Sequence, residues 1–490
     1  MKTLYRSDRG HTICFLMDGP ALRVFSIKHI IILTLKNAEG ETELAKEISS
    51  SLVAKFSDKI NSKPKNKIIK AAVIQNGINK ATLNNDSMIA MNPVFSEEID
   101  TGKVTNQKMS GRCWMFAALN TFRHRLNKQF NLKDFELSQN FTLFWDKFEK
   151  SNYFLESIIK TASEPLEGRL VSWLLETPQQ DGGQWDMLAA IIDKYGIVPK
   201  QAMPETFQSS NTRVLNELIN AKLREDAGQL RTLHEKGKAK ADLEAAKEDM
   251  LEDIYRILAF SLGEPPKTFD FEYRDEDQKA FHREIGITPK AFFKKYVGLN
   301  LNDYVSIINA PTKDKPYKKT YTVQYLGTVV GGRRIKYLNV DMETLKSLAV
   351  SQIKDKETVW FGCDVVKYAD SKLGIMDKDL YDYDTAFHTT FNLSKADRLD
   401  FHHSCLTHAM VLTGVNLVNG KPNRWKVENS WGEERGHKGY FVMSDKWMDE
   451  FTYQVIVNKK YLSDELKTAY DQEPIALKPW DPMGALALMR

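Results

Sequence analysis

The first regular apolar spacing in the chain falls at Leu52, Val53, Phe56 and Ile60, which share one face of a helix. It predicts a helix from about Leu44 that closes at Pro64, because proline restricts the residue before it and removes a backbone donor. Residues 1–43 mix short apolar runs with Gly10, Gly19 and Gly40, show no sustained period, and read as an extension of unknown role. Ser110 and Gly111 are capping and turn residues, and Trp114, Phe116, Ala117, Ala118 and Leu119 continue with apolar helix formers, so a buried helix is expected to begin at about position 113. Over 205–310 Lys, Glu, Ala and Leu dominate, as in 215–223 and 243–251, which favours long solvated helices. After Pro311 the chain turns to Tyr, Val and Thr, with Gly331 and Gly332 as a turn, and Val411–Val415 and Tyr440–Met443 suit strands. The pattern divides into a helical stretch (44–204), a mainly helical insertion (205–310), a sheet-rich part (311–470) and a C-terminal arm (471–490).

Composition narrows the class without choosing a partner. At 490 residues, with 42% hydrophobic and 27% charged side chains, the chain has the balance of a soluble globular protein. A net charge of +4 from 69 basic and 65 acidic residues makes nucleic acid a dispensable partner, although Lys59–Lys67, Lys313–Lys319 and Gly331–Arg334 are locally basic. Cys14, Cys113, Cys363 and Cys405 contain no Cys-x-x-Cys pair and are too sparse for a disulfide framework, which fits the cytoplasm. The apolar run Ala21–Leu35 is interrupted by Arg23, Lys28 and His29 and is too short to span a membrane, so no membrane partner is expected.

Three blocks carry candidate chemistry. A cysteine attacks carbonyls as the thiolate, and the partial positive charge of a helix N-terminus favours that form, so Cys113 in a first helical turn is a candidate nucleophile. Upstream, Gln107 offers an amide N–H that, with the backbone N–H of Cys113, can hold the oxyanion of a tetrahedral intermediate. His408 opens an apolar run of strand character and is the candidate base, and Asn429 orients an imidazole without competing for its proton, with Trp431 shielding that hydrogen bond from water. Taken singly, each has a bland alternative: a buried thiol, a structural histidine, a turn asparagine. The order Gln, Cys, His, Asn shifts the balance toward catalysis.

In that order, Gly111-Arg-Cys-Trp-Met-Phe-Ala, His408-Ala and Asn429-Ser-Trp-Gly resemble the blocks of papain-like cysteine peptidases. Ser110 and Arg112 depart from the general Cys-Gly-Ser/Ala-Cys-Trp signature, and His408 lies far beyond the usual spacing of about 130–150 residues. Both departures resemble the bleomycin hydrolase and aminopeptidase C branch, as do Asp181-Gly-Gly-Gln-Trp and Tyr195-Gly-Ile-Val-Pro, and the likeness runs from about Leu44 to Ala487. The resemblance implies an α+β papain-like fold, a helical half against an antiparallel sheet half with a large helical insertion, and a cysteine aminopeptidase acting on peptides through an acyl-thioester, with bleomycin hydrolase-like amide hydrolysis. It implies no metal or organic cofactor, a homohexamer, and Gly182, Gly183, Trp431 and Ala487 at the substrate. It further implies that the arm from Trp480 to Ala487 enters the cleft and presents a terminal carboxylate to the substrate amine. Leu488, Met489 and Arg490 extend past that point, so they are expected either to obstruct the cleft or to be trimmed by the enzyme itself, and a papain-like endopeptidase is the alternative activity.

A zinc hydrolase is the rival from another enzyme class, since His402, His403, Cys405 and His408 crowd together, but the chain lacks a His-Glu-x-x-His helix. A nucleic-acid-binding protein is the rival outside enzymes, and it leaves the three blocks without a role.

Overall fold

The computed structural model describes residues 47–486 apart from Lys133, Glu276 and Gln278, together with three strands near the N-terminus. The chain divides into two compact units, 1–81 and 82–490. In the first, β1 (Leu4–Arg6), β2 (Thr12–Leu16) and β3 (Arg23–Ser26) form an antiparallel meander. The remainder of 1–43 lies outside the described residues. Helix α1 (Ser50–Asn61) starts where the Ser49 side chain caps Leu52 N–H, and α2 (Pro64–Asn76) starts on Pro64, which needs no donor in a first turn. Pro64 thus opens a second helix as well as closing the first. Leu52, Val53, Phe56 and Ile60 share the predicted face of α1 and are exposed.

The second unit sets helices against one large sheet. Helices α3 (Cys113–Phe130), α4 (Gln139–Lys160) and α5 (Trp185–Tyr195) are followed by α6 (Arg213–Glu235) and α7 (Lys240–Leu262), whose buried Leu215, Ile219, Leu223, Leu243, Ile254 and Leu258 recur at helical spacing. Between α7 and the sheet, β4 (Phe269–Arg274) and β5 (Phe281–Ile287) form a separate hairpin. The main sheet is built from β6 (Tyr304–Ile308), β7 (Lys319–Val323), β8 (Tyr337–Asn339), β9 (Val359–Cys363), β10 (His408–Val418), β11 (Lys421–Glu428), β12 (Tyr440–Ser444), β13 (Thr452–Asn458) and β14 (Ile475–Leu477), with shorter strands at its margins. Its order is β12-β11-β10-β9-β13-β6-β8-β7-β14. The central pairings are antiparallel, while β6–β8 and β14–β7 are parallel at one flank and the short strand Ile375–Met376 pairs parallel with β12 at the other.

Strand alternation produces two cores. On one face Trp360, Ala409, Val411, Tyr453 and Ile456 pack with the buried side of α3; on the other Phe361, Met410, Leu412, Val455 and Val457 pack with α8 (Met342–Lys354). Helix α3 is therefore held against the middle of the sheet, and Trp360 Nε1 donates to the Trp114 carbonyl at 3.1 Å across that contact. Among the described residues no helix is long and apolar enough to cross a membrane.

Candidate active site

Cys113 is the first residue of α3, with Arg112 as its N-cap residue, and is 1% exposed. His408 is the first residue of β10, and Asn429 follows the last residue of β11. Because β10 and β11 are antiparallel neighbours, His408 and Asn429 come together at one end of the sheet, and His408 Nε2 lies 2.9 Å from Asn429 Oδ1. That bond makes Nε2 the protonated nitrogen, so Nδ1 carries the lone pair; Nδ1 has no hydrogen-bond partner among the described residues. The Trp431 ring lies 4.9 Å from the imidazole, centre to centre, and covers it.

The residue after His408 reaches the sulfur. Burial pushes the Cys113 thiol up to about 12, against the backbone N–H groups of Ala409, Trp114 and Cys113, which favour thiolate, and with the charge of Asp181, which disfavours it. Burial likewise pushes His408 down to about 4, opposed by its bond to Asn429. Burial thus favours the uncharged form of both groups. The lowered His408 stays unprotonated well below its ordinary value of about 6.5, so the acid limb of kcat/KM is expected below that pH. Asn429→Asp, which puts a negative charge beside the ring, is expected to move this limb upward by about one unit or more; an unmoved limb in a pH–rate series would count against His408 as the base.

Gln107 sits on the loop before α3, tied to the Asn429 side of the site. Its backbone N–H donates to Ser430 O at 2.8 Å and its Oε1 accepts from Ser430 Oγ at 2.7 Å. Nε2 donates one hydrogen to Ser110 O at 2.7 Å, which leaves the second for an oxyanion. Gln107, Cys113, His408, Asn429 and Trp431 are therefore brought to one place. His402 and His403 are exposed, His408 is buried against Asn429, and no group of three or more His, Cys, Asp or Glu among the described residues is placed to share a metal ion.

Several residues that hold this arrangement have structural roles that the sequence motifs did not assign. Asp181, 2% exposed, accepts from Lys147 Nζ at 2.7 Å and from Gly111 N–H at 2.8 Å, and its carbonyl accepts from Trp114 Nε1 at 2.7 Å. Burial alone would raise its carboxyl, but the Lys147 charge and the hydrogen bonds of Lys147, Thr212 and Gly111 outweigh it and hold Asp181 well below the usual carboxylate range. Lys150 donates to Gly182 O at 2.6 Å and to Gln180 O at 2.9 Å, fixing the backbone of the glycine pair. A side chain at Gly183 would meet the Trp114 ring at 2.5 Å, so this glycine answers to tryptophan packing. Lys147 and Lys150 interrupt the apolar face of α4, and that interruption is the one sequence signal for them. On the far side of the nucleophile helix, Glu428, beside Asn429, is buried with Arg123 Nη2 at 3.0 Å and His124 Nε2 at 2.9 Å, linking α3 to the strand end that carries the orienting amide.

The C-terminal arm runs along a cavity of about 620 Å³ bordered by Gln179, Leu326 and Leu406, with Thr407, next to His408, on its wall. Besides the β14–β7 pairing, four contacts hold the stretch from Trp480 to Ala485. Arg169 stacks on Trp480 at 3.8 Å, Lys315 pairs with Asp481 at 2.9 Å, Tyr337 OH donates to Met483 O at 3.2 Å, and Gln184 Nε2 donates to Ala485 O at 2.8 Å. Gln184 directly follows the Gly182-Gly183 pair, so the arm is bound beside the nucleophile helix. Ala487, Leu488, Met489 and Arg490, on which the carboxylate expectation falls, lie outside the described residues.

Comparison with known proteins identifies the family. The Peptidase C1-like family model matches residues 47–484. Aminopeptidase C of Listeria monocytogenes is 59% identical over 90% of the chain and 99% of its own length, and that of Lactobacillus helveticus is 53% identical over 91% and 99%. Bleomycin hydrolase of Gallus gallus is 47% identical over 78% of the chain and 86% of its own. The crystal structure of PepW from Lactobacillus rhamnosis superposes with a TM-score of 0.89 at 59% identity, over 90% of this chain and 99% of that one. The chain is a cysteine peptidase of papain-like α+β fold and belongs to the Peptidase C1-like family, in its aminopeptidase C and bleomycin hydrolase branch.

Proposed function

We propose that this protein releases N-terminal residues from peptides, with Cys113, His408, Asn429 and Gln107 as its catalytic residues. The observation that carries the assignment is the His408–Asn429 bond of 2.9 Å, which fixes the tautomer so that Nδ1 takes the thiol proton. The Cys113 sulfur adds to the scissile carbonyl carbon, and the oxyanion accepts from Gln107 Nε2 and the Cys113 N–H. Collapse expels the amine, which takes the proton from His408, and leaves an acyl-thioester. His408 then deprotonates water, whose oxygen replaces sulfur at the acyl carbon. Gly182, Gly183, Trp431 and Ala487 contact the substrate in this reading, and the arm ending beyond Ala487 blocks the cleft so that a chain can enter by its amino end only.

The protein acts on peptides in the cytoplasm as a homohexamer. Exposed Ile89, Val94, Phe207, Ile285 and Phe260 are the kind of apolar surface that assembly covers. The reading is tested with matched peptides bearing free and acetylated N-termini: hydrolysis is expected from the free form alone, and equal cleavage of both forms identifies an endopeptidase.

A further inference from the structure

The loop that carries both Gln107 and Cys113 is an unusual one to leave unsupported. Lys108 within it has φ 53°, in the left-handed region that non-glycine residues enter only when the surroundings hold them there. Ser430 holds Gln107 and Asp181 holds Gly111, and a further set of supports comes from one short segment, 205–216, at the start of the helical insertion. Met109 and the insertion run side by side as a parallel bridge, with Met109 N–H donating to Ser210 O at 3.0 Å and Thr212 N–H to Met109 O at 3.3 Å. Arg112, the N-cap residue of the nucleophile helix and fully buried, forks onto Glu205 with Nη1–Oε1 at 2.9 Å and Nη2–Oε2 at 2.8 Å. Ser209 Oγ holds the same carboxylate at 2.6 Å. Thr212 Oγ1 donates to Asp181 Oδ2 at 2.5 Å, the oxygen that also accepts Gly111 N–H, and Asn216 Nδ2 donates to Oδ1 at 2.9 Å.

We propose that residues 205–216 are a positioning element for catalysis: through Glu205 and Thr212 the insertion sets the orientation of the Gln107–Cys113 loop and the electrostatic pressure of Asp181 on the sulfur. This rests on Cys113 being the nucleophile. Burying ion pairs is a poor route to stability, since apolar side chains of similar volume serve as well or better, whereas a two-pronged guanidinium–carboxylate contact fixes direction. Thr212 acts on the thiol at one remove. Its hydroxyl satisfies part of the Asp181 charge, and without it the carboxylate both loses a restraint and opposes thiolate more strongly.

The test is Thr212→Val beside Thr212→Ser, with rates expressed per active site titrated by iodoacetamide. Thr212→Val is expected to lower kcat about tenfold, the loss of one hydrogen bond to a charged group, with KM within about twofold. The pH midpoint of Cys113 alkylation is expected to rise, and Thr212→Ser is expected to restore both values. Glu205→Gln, which keeps the size of the side chain, is read in the same way should Thr212→Val not fold. An unmoved kcat and alkylation midpoint would overturn the proposal. So would a loss of titratable sites at unchanged rate per site, or failure of both variants to fold, since either marks a scaffold role alone. Hydrolysis surviving Cys113→Ala would instead refute the nucleophile assignment, a result these variants cannot mimic.

Discussion

Cys113→Ala is expected to cut peptide hydrolysis by about 10⁴-fold or more, because the acyl intermediate of the proposed mechanism forms on its sulfur. The fold is expected to survive. The substitution removes one sulfur from a packed interior, a change of about 1 kcal/mol that moves a melting transition by a few degrees. Activity and stability therefore separate cleanly, and a steady-state assay with a melting curve on the same preparation reads both. Substrate binding is expected to persist, since the Gly182 backbone is held by Lys150 and the Gly183 turn by Trp114 rather than by the sulfur. Residual turnover above about one per cent of wild type would show that another nucleophile operates.

That expectation could be framed from the sequence because the groups that react lie in short blocks whose local physics is visible. The apolar run from Trp114 places Cys113 at a helix start, although the N-cap residue is Arg112 and not Ser110, whose hydroxyl donates to Gln107 O instead of capping the helix, and the run after His408 is strand-like. What holds the blocks together is another matter. Asp181 opens the Asp-Gly-Gly-Gln-Trp block, but its role was hidden, because its four side-chain donors come from Gly111, Lys147, Thr212 and Asn216, which adjoin only in the fold. Lys147 and Lys150 show in the sequence only as interruptions of an apolar face, and their acceptors come from Gln179 to Gly182, Asn216 and Asp146.

The hairpin β4–β5 was legible in a narrower window than the one that composition favours. Phe269, Phe271 and Tyr273 alternate with Asp270, Glu272 and Arg274, a period of two, inside a stretch whose Lys, Glu, Ala and Leu content points to helix. Phe269 and Phe271 are buried, while Asp270 and Glu272 face water. The parallel flank of the sheet was not legible at all, since pairing β6 with β8 depends on how 309–336 crosses over, and no local pattern encodes that.

The arm gives the second large effect. Ending the chain after Asp481 keeps the Arg169–Trp480 and Lys315–Asp481 anchors but removes Met483, Ala485 and Leu486, hence the bonds from Tyr337 and Gln184. With that stretch gone the cleft is open along its length, and hydrolysis of acetylated peptides is expected to rise about 100-fold. Preference for a free amino terminus is expected to fall by a similar factor, the worth of a charge-assisted contact of about 2–3 kcal/mol. Loss of buried Met483 is expected to lower the melting temperature modestly, so rates are compared well below the transition. Removing Leu488, Met489 and Arg490 alone separates two roles of the arm. If the terminal carboxylate must stand at Ala487, this shorter deletion raises aminopeptidase turnover and leaves acetylated peptides uncut. If both deletions leave the free-to-acetylated ratio where it is in the full chain, the arm neither closes the cleft nor reads the substrate amine, and selectivity has to come from the cavity walls at Gln179, Leu326 and Leu406.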